Sequence, residues 1–263
     1  MIKIATWNVN SIKARLENVL GWLKEAAPDV VLLQETKTID ENFPELEIGD
    51  LGYNIAVSGQ KTYNGVAILS KFPIDDVSKK LPGDPEDVEA RYIEALISVG
   101  ENVVRVASVY VPNGQEPGSE KFKYKLKFLE RLKKHAEKLL TYDEKLVIGG
   151  DYNCAPFDID VYDAKHLRGT TCFHPDEQTR LRAMLNMGLT DVWRTANPDK
   201  MAFSWWDYRG GGFQHNKGMR IDHLLLSPQA ADITSDVGMD EKQRGMEKAS
   251  DHIPVWCELE LKG

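Results

Sequence analysis

The sequence predicts a layered α/β fold in one domain, on three observations. Strand and helix patterns interleave from the first residues to the last, the order strand, helix, strand occurs twice, and no shift in composition marks a boundary among the 263 residues. Layered α/β folds reach this length as one domain. With 42% hydrophobic and 28% charged residues, the chain has apolar material for a large core, which excludes disorder.

In the first half, "IKIATWNVN" alternates as a strand. "SIKARLENVLGWLKEAA" follows as a helix, because Ile12, Leu16, Val19, Leu20 and Leu23 recur at helical spacing. Asn10 or Ser11 is expected to cap it, and Pro28 marks its end. "DVVLLQET" is then a buried strand. In the second half, "VVRVASVYVPN" leads into "SEKFKYKLKFLERLKKHAEKLL", whose Phe122, Leu126, Leu129, Leu132 and Ala136 form one stripe with Ser119 as N-cap. "KLVIGGDYN" closes that unit as a strand. The repeat is weak by sequence but predicts pseudo-symmetric layers.

Between the halves, "YNIAVSG", "GVAILSK" and "RYIEALISV" have the pattern of antiparallel strands. "KKLPGDPEDVEA" is rich in Pro, Gly and acids, as an exposed loop would be. A helix near "PDEQTRLRAMLNMG" and two late strands, "MRIDHLLLS" and "HIPVWCELEL", complete the chain.

The N-terminus lacks the segments of a signal peptide, and no apolar run approaches the roughly 18 residues of a membrane span. Cys154, Cys172 and Cys257 are odd in number and widely spaced, so neither a disulfide framework nor a thiolate zinc site is indicated. A soluble protein of a reducing cytoplasm is expected. The net charge of −8 argues against a nonspecific nucleic-acid coat but not against local patches or carboxylates that hold cations. The lysines at 121, 123, 125, 127, 133, 134 and 138 alternate with apolar residues and are expected mostly to form the solvated face of their helix.

Strand ends carry the polar residues that matter. Asn8 follows the first strand, Glu35 ends "VVLLQE", Tyr110 and Asn113 end the first strand of the second half, and Asp151 and Asn153 follow "LVIGG". With their carboxyl ends together, these strands converge the groups on one edge, where ligands bind in layered α/β folds. Asp151 and Asn153 share a face of an extended segment, and Gly149 and Gly150 admit a close neighbour. Asp251 and His252 point to opposite faces, so a distant carboxylate must orient the imidazole, and Asp222 is the candidate. No Walker loop, G-x-S-x-G, H-E-x-x-H or dinucleotide fingerprint is present. Hard oxygen and amide groups with one histidine suit Mg²⁺ or Mn²⁺ and phosphate-ester chemistry.

The ordered set "WNVNSIKAR", "LLQETK", "YNGVAILSK", "YVPNG", "GGDYNCAP", "FSWWDYRGGGF", "NKGMRIDHLLLS" and "SDHIPVW" resembles the exonuclease III family of abasic-site endonucleases and 3′-repair nucleases, within the endonuclease/exonuclease/phosphatase superfamily. The resemblance runs from the first strand to the last. It implies a four-layered α/β sandwich of two mixed sheets flanked by helices, and a Mg²⁺- or Mn²⁺-dependent hydrolase acting on duplex DNA at abasic sites or 3′ ends, working as a monomer.

By the same resemblance Glu35 is the principal metal carboxylate, with Asn8 beside it and Asp251 near the metal. Asp151 aligns or deprotonates the attacking water, with Tyr110 as phenolate the other candidate base. Asn153 holds water and phosphate oxygens, Tyr110 and Asn113 contact the scissile phosphate, and His252, oriented by Asp222, donates to a non-bridging oxygen. Trp205, Trp206, Met219 and Ile221 supply the apolar wall of a pocket for an extrahelical abasic sugar. One of the two tryptophans should face outward. Tyr208 and Arg209 sit where the loop meets the duplex, and Gly210, Gly211 and Gly212 admit the DNA backbone. His174 is placed near the cleft, either as an exposed turn or as a group that meets DNA, whereas His223 is structural. The competing expectations are a relative acting on another phosphodiester, a 3′→5′ exonuclease with little abasic-site activity, and a catalytically dead binding module. The last would lack one of Glu35, Asp151, Asp222 and Asp251, and all four are present.

Overall fold

The structure, a computed structural model, describes residues 1–261. The first part of the chain forms β1 (Ile2–Asn8), α1 (Leu16–Ala26), β2 (Val30–Gln34), α2 (Glu45–Gly49), β3 (Asn54–Ser58), β4 (Val66–Ser70), β5 (Ile74–Ser78), β6 (Tyr92–Val99) and β7 (Asn102–Tyr110). It continues through α3 (Glu120–Leu140), β8 (Lys145–Asp151), α4 (Ala164–Leu167), α5 (Pro175–Asn186), β9 (Thr190–Asp191), α6 (Val192–Ala196) and β10 (Trp205–Trp206). The last elements are β11 (Gly218–Met219), β12 (Asp222–Leu226), α7 (Pro228–Ala231), β13 (Thr234–Met239) and β14 (Val255–Leu259).

Two mixed sheets of six strands result, in the orders β13-β14-β1-β2-β4-β3 and β5-β6-β7-β8-β12-β9, with β10 and β11 as a separate short ribbon. The period-2 pattern of the strands explains why they stack. Ile2 and Ile4 of β1 point into the core between the sheets with Leu32, Ile68, Val106 and Leu224. Their neighbours Ala5 and Trp7 face outward onto Val19, Trp22 and Leu23 of α1. On the far side, Phe128, Leu129, Leu132 and Ala136 of α3 cover Ala107, Val109 and Ile148. Helix, sheet, sheet, helix is therefore the layering, as the sequence leads one to expect.

Register brings the strand ends together. β1 and β2 are parallel, with Asn8 opposite Gln34. β7 and β8 are parallel, with Tyr110 opposite Asp151. β12 runs antiparallel to β8 and starts at the same edge, with Asp222 opposite Asp151. β14 is likewise antiparallel to β1, so Asp251 and His252, just before it, reach that edge from the other sheet.

Local expectations are corrected at four points. α1 starts at Leu16 behind an Arg15 without a side-chain cap, so neither Asn10 nor Ser11 caps it. The amides of Ser11 and Ile12 are held by the carbonyls of Glu35 and Thr36 at 2.7 and 3.1 Å, which keeps this segment beside β2 instead of coiled. β5 and β13 were not expected; both are edge strands with exposed or half-buried faces, where alternation is weak. Ser119 does cap α3, accepting from the Phe122 amide at 3.1 Å, but one lysine of the run breaks the solvated pattern: Lys125 is buried.

Candidate active site

The two sheets are joined beneath the shared edge by a buried polar bridge that the sequence does not announce. Gln34, the last residue of β2, donates to Ser108 Oγ at 2.9 Å and Thr6 Oγ1 at 3.0 Å, and Ser108 donates to the Leu33 carbonyl at 2.8 Å. Above this bridge, the chain turns at Glu35 with φ of 50°, and the carboxylate leaves the strand into a cavity of about 430 Å³. Tyr110, Asn113, Asp151, Asn153, Asp251 and His252 line the same cavity on its polar side. Trp205, Met219 and Ile221 line its apolar side, together with Thr171 and Cys172, which the sequence does not single out.

Asn8 lies behind this surface, fully buried. Its amide nitrogen donates to Glu35 Oε1 at 2.8 Å and Asp151 Oδ2 at 2.9 Å, while its oxygen accepts from the Asn10 amide at 3.0 Å. The Asn8 nitrogen thus serves the two carboxylates, and its oxygen is the end of the amide with lone pairs for a cation. Asn8 holds the two acids at a fixed spacing.

Burial raises the Glu35 carboxyl, but Lys37 and the Asn8 hydrogen bond outweigh it and leave the group below its ordinary value. Lys37 Nζ is 2.8 Å from Glu35 Oε2 and 2.5 Å from Asn10 Oδ1. Asp151 behaves oppositely. Burial, reinforced by the charges of Asp222 and Glu35, pushes its carboxyl up to about 7 despite His252. Its oxygens accept from the Asn153 amide at 2.8 Å and the Asn153 side chain at 3.2 Å.

His252 Nδ1 faces Asp222 Oδ2 at 2.9 Å, and its Nε2 is 3.7 Å from Asp151 Oδ2. Burial alone would lower the imidazole; Asp222, then Asp151, overcome it and raise it to about 10. The pairing with Asp222 favours the protonated ring, in which both nitrogens are donors. Asp222 is itself fixed by Ser204, whose hydroxyl donates to Oδ2 at 2.6 Å and accepts from the amides of Ile221 and Asp222 at 3.0 Å. Tyr110 is driven well above its ordinary value by burial and then by Glu35 and Asp151, which favours the neutral phenol over the phenolate expected as the second candidate base.

Glu35, Asp151 and His252 place potential ligand atoms within 4.8 Å of one another. With His252 Nδ1 turned to Asp222, the oxygen donors of the group are Glu35 and Asp151, and Asp251 brings a further carboxylate to the same cavity. Asp251 is oriented by Asn10 Nδ2 at 2.9 Å and Trp205 Nε1 at 3.0 Å. This oxygen-only set fits a small hard divalent cation.

The "FSWWDYRGGG" stretch divides as β10 requires, with neighbouring side chains on opposite faces. Trp205 is half-buried at the cavity, and Trp206 is 1% exposed, stacked edge-on with Phe203 and Phe213. Trp206 is therefore core and not pocket wall. Tyr208 is half exposed outside the cavity, donating to the Ala249 carbonyl at 2.7 Å, and the Arg209 side chain is 93% exposed. Gly210 and Gly211 both adopt φ of 63°, and a Cβ on Gly212 would meet the Asp207 carbonyl oxygen at 2.5 Å. The three glycines thus make the turn itself. His174 is not among the residues lining the cavity; it caps α5, its Nδ1 accepting from the Asp176 amide at 3.2 Å and its ring edge-on to Phe122. His223 is buried between Arg220 and the Cys154 carbonyl, a structural position.

Acids, amides and a paired imidazolium at the strand ends of a four-layered α/β sandwich define a phosphodiester hydrolase. The family model described as the endonuclease/exonuclease/phosphatase family matches residues 5–252. The chain belongs to that family, in its exonuclease III group. It is 36% identical to the exodeoxyribonuclease III of Haemophilus influenzae over 98% of this chain and 100% of that one. Among solved structures, a variant of the 3′ phosphatase NExo from Neisseria, bound to a product DNA hairpin, matches with a TM-score of 0.95 at 40% identity, covering 99% of this chain and 100% of that chain. An AP endonuclease from Archaeoglobus fulgidus matches with a TM-score of 0.93 at 38% identity, over 99% and 100%.

Proposed function

We propose that the protein is a divalent-cation-dependent DNA repair phosphodiesterase of exonuclease III type, which incises duplex DNA 5′ to abasic sites and removes nucleotides or blocking groups from 3′ ends. The observation that carries this reading is the convergence on one cavity, at the strand ends, of Glu35, Asp151, Asn113, Asn153 and Asp251 with His252, whose Nδ1 is paired with Asp222 at 2.9 Å and whose Nε2 lies 3.7 Å from Asp151. The names of the relatives, an exodeoxyribonuclease, a 3′ phosphatase and an AP endonuclease, support DNA as the substrate.

Each side chain then has a task set by its geometry. Asp151 takes a proton from the water that attacks phosphorus in line with the departing 3′ oxygen. Asn8 and Asn153 hold its carboxylate in that role. His252 donates from Nε2 to a non-bridging phosphoryl oxygen, where negative charge grows in the transition state, and Asp222 keeps the ring protonated and aligned. Asn113 and the neutral Tyr110 add donors to the same phosphate. Glu35, with Asp251 beside it, would hold the cation at the edge shared with Asp151. A Mg²⁺ or Mn²⁺ ion, when bound, neutralises charge on the phosphoryl and leaving-group oxygens. Trp205, Met219 and Ile221 give an abasic sugar an apolar wall on one side of the cavity.

Labelled duplexes carrying an internal abasic site, a recessed 3′ end or a 3′-phosphate, each incubated with Mg²⁺, with Mn²⁺ and with EDTA, test the proposal. Cleavage of at least one substrate that EDTA abolishes is expected. Hydrolysis of none, or hydrolysis that survives EDTA, would sink it.

A further inference from the structure

Lys125 is the one lysine of the α3 run whose side chain has no exposure at all, and its partner Glu177, in α5, has none either. An ammonium has three hydrogens to place. Here one goes to Glu177 Oε1 at 2.7 Å, one to the Asn153 carbonyl at 2.6 Å and one to the Asn113 carbonyl at 3.0 Å. The two carbonyls belong to the two residues whose side-chain amides face the cavity, and those amides are joined to each other, Asn113 Nδ2 to Asn153 Oδ1, at 3.0 Å.

The backbone on both sides of the ammonium turns through left-handed residues. Asn153 adopts φ of 46°, and Gly114, after Asn113, takes φ of 87° against the lysine stem, where a Cβ would meet Lys125 Cδ at 2.8 Å. On its other side Glu177 accepts from the amides of Cys172 and His174, both at 3.4 Å, which ties the segment carrying Thr171 and Cys172 to the same charge. One buried ion pair therefore reaches three separate walls of the cavity.

We propose that Lys125, with Glu177 as its counter-ion, is a positioning residue that sets the Asn113 and Asn153 amides at the spacing needed to hold a phosphate. The proposal rests on the phosphodiesterase reading above. A buried pair of this kind adds little net stability over a neutral pair of the same volume, because desolvation offsets the attraction. Its value lies in geometry: the Val111 amide already binds the Asp151 carbonyl at 2.9 Å where the two loops begin, and an ammonium bound to two carbonyls fixes their spacing farther out, at Asn113 and Asn153. A displacement of about 1 Å in such a group can cost on the order of a hundredfold in rate.

The test uses the full chain. Lys125→Met combined with Glu177→Gln removes both charges and keeps the volume. It is expected to melt within a few degrees of the parent, with kcat lowered about 10- to 100-fold and KM for the DNA substrate little changed. Added to Asn153→Ala, it should cost less than it does alone, since the amide it positions is gone. Side-chain amide ¹H–¹⁵N signals of Asn113 and Asn153, assigned by their loss in Asn113→Asp and Asn153→Asp, should move in the double variant even without cation or DNA. A folded double variant with full kcat, additive behaviour with Asn153→Ala, or unmoved amide signals would overturn the proposal. If the double variant does not fold, Glu177→Gln alone decides: moved amide signals support the role and unmoved signals overturn it. A parent protein that cleaves no DNA would defeat the functional reading, and the amide signals would still judge this one.

Discussion

A buried carboxylate acts as a base only if its surroundings prevent it from being either a permanent anion or a permanent acid. Asp151 meets this condition through burial on one side and His252 on the other. Asp151→Asn keeps the shape and its contact with Asn8 while removing the negative charge, so binding of DNA should persist and turnover should fall by roughly a hundred- to ten-thousand-fold. Single-turnover rates and a filter-binding assay on the same preparation measure both; a near-parental rate would reassign the base. Trp205→Ala should lower incision at an internal abasic site more than hydrolysis of a 3′-phosphate, because only the former needs an extruded sugar against the wall. An equal loss of both would make Trp205 a support of Asp251, to which its indole donates, and nothing more. At this scale much was legible. Strand alternation set Asp251 aside as the partner of His252, and Asp222, the candidate, is the acid found there. Lys125 was not legible, because a lysine among lysines gives no sign that its terminal nitrogen meets two carbonyls inside the protein. Nor was the pair of bonds from Asn8 to Glu35 and Asp151, since sequence does not say which way an amide donates.

Elements place these residues through register, and register depends on small positions. Gly149 of β8 lies where the two sheets approach most closely: a Cβ there would meet Leu32 Cδ1 at 2.6 Å, Leu224 Cδ2 at 2.7 Å and Thr6 Cβ at 3.3 Å. Gly149→Ala is expected to cost about 1–3 kcal/mol by overpacking. Urea denaturation would measure it, and a midpoint unchanged from the parent would show that the sheets can separate there without strain. The sequence suggested a close approach at Gly149 and Gly150; the neighbours prove to be the other sheet at Gly149 and Val109 of the adjacent strand β7 at Gly150. Strands with buried faces were legible as apolar runs. β5 and β13, with "IDDVS" and "TSDVGM", were not, because an edge strand with a wet face needs no apolar alternation. The start of α1 was misplaced for a related reason: carbonyls of β2's exit, distant in sequence, claim the amides that a helix would have used.

For the molecule as a whole, the segments flanking the site are clasped by a second buried ionic cluster. Arg220 binds Asp191 through both terminal nitrogens at 3.0 and 2.8 Å and Asp160 at 2.7 Å, joining β9, the loop before α4 and the approach to β12. Burial would raise the Asp191 carboxyl, but Arg220 and then His223 hold it far below the usual carboxylate range. A depressed pKa contributes stability that is complete above the unfolded value, about 3.9, and is lost as pH falls through the folded one. Melting temperature should therefore decline below about pH 4. Asp191→Asn, which leaves Arg220 short of a charge, should cost about 3–5 kcal/mol at pH 7, with the gap to the parent narrowing as acid is added. Parallel curves for the two proteins between pH 7 and 2 would remove Asp191 from this role. The layered architecture was legible because the strand, helix, strand unit occurs twice; the sheet orders were not, since β14 inserts beside β1 across nearly the whole chain.

That last pairing has a consequence for biosynthesis. Ile2 lies opposite Leu259, and β14 occupies an interior place between β13 and β1. Asp251 and His252 enter the cavity only on the approach to β14, so a ribosome must deliver nearly all of the chain before either can arrive. Until then the first sheet lacks an interior strand, and Glu35, Asn8 and Asp151 have no imidazolium beside them. A chain ended before Asp251 should therefore show no hydrolysis, which release of such a chain from the ribosome and an assay of the product would check.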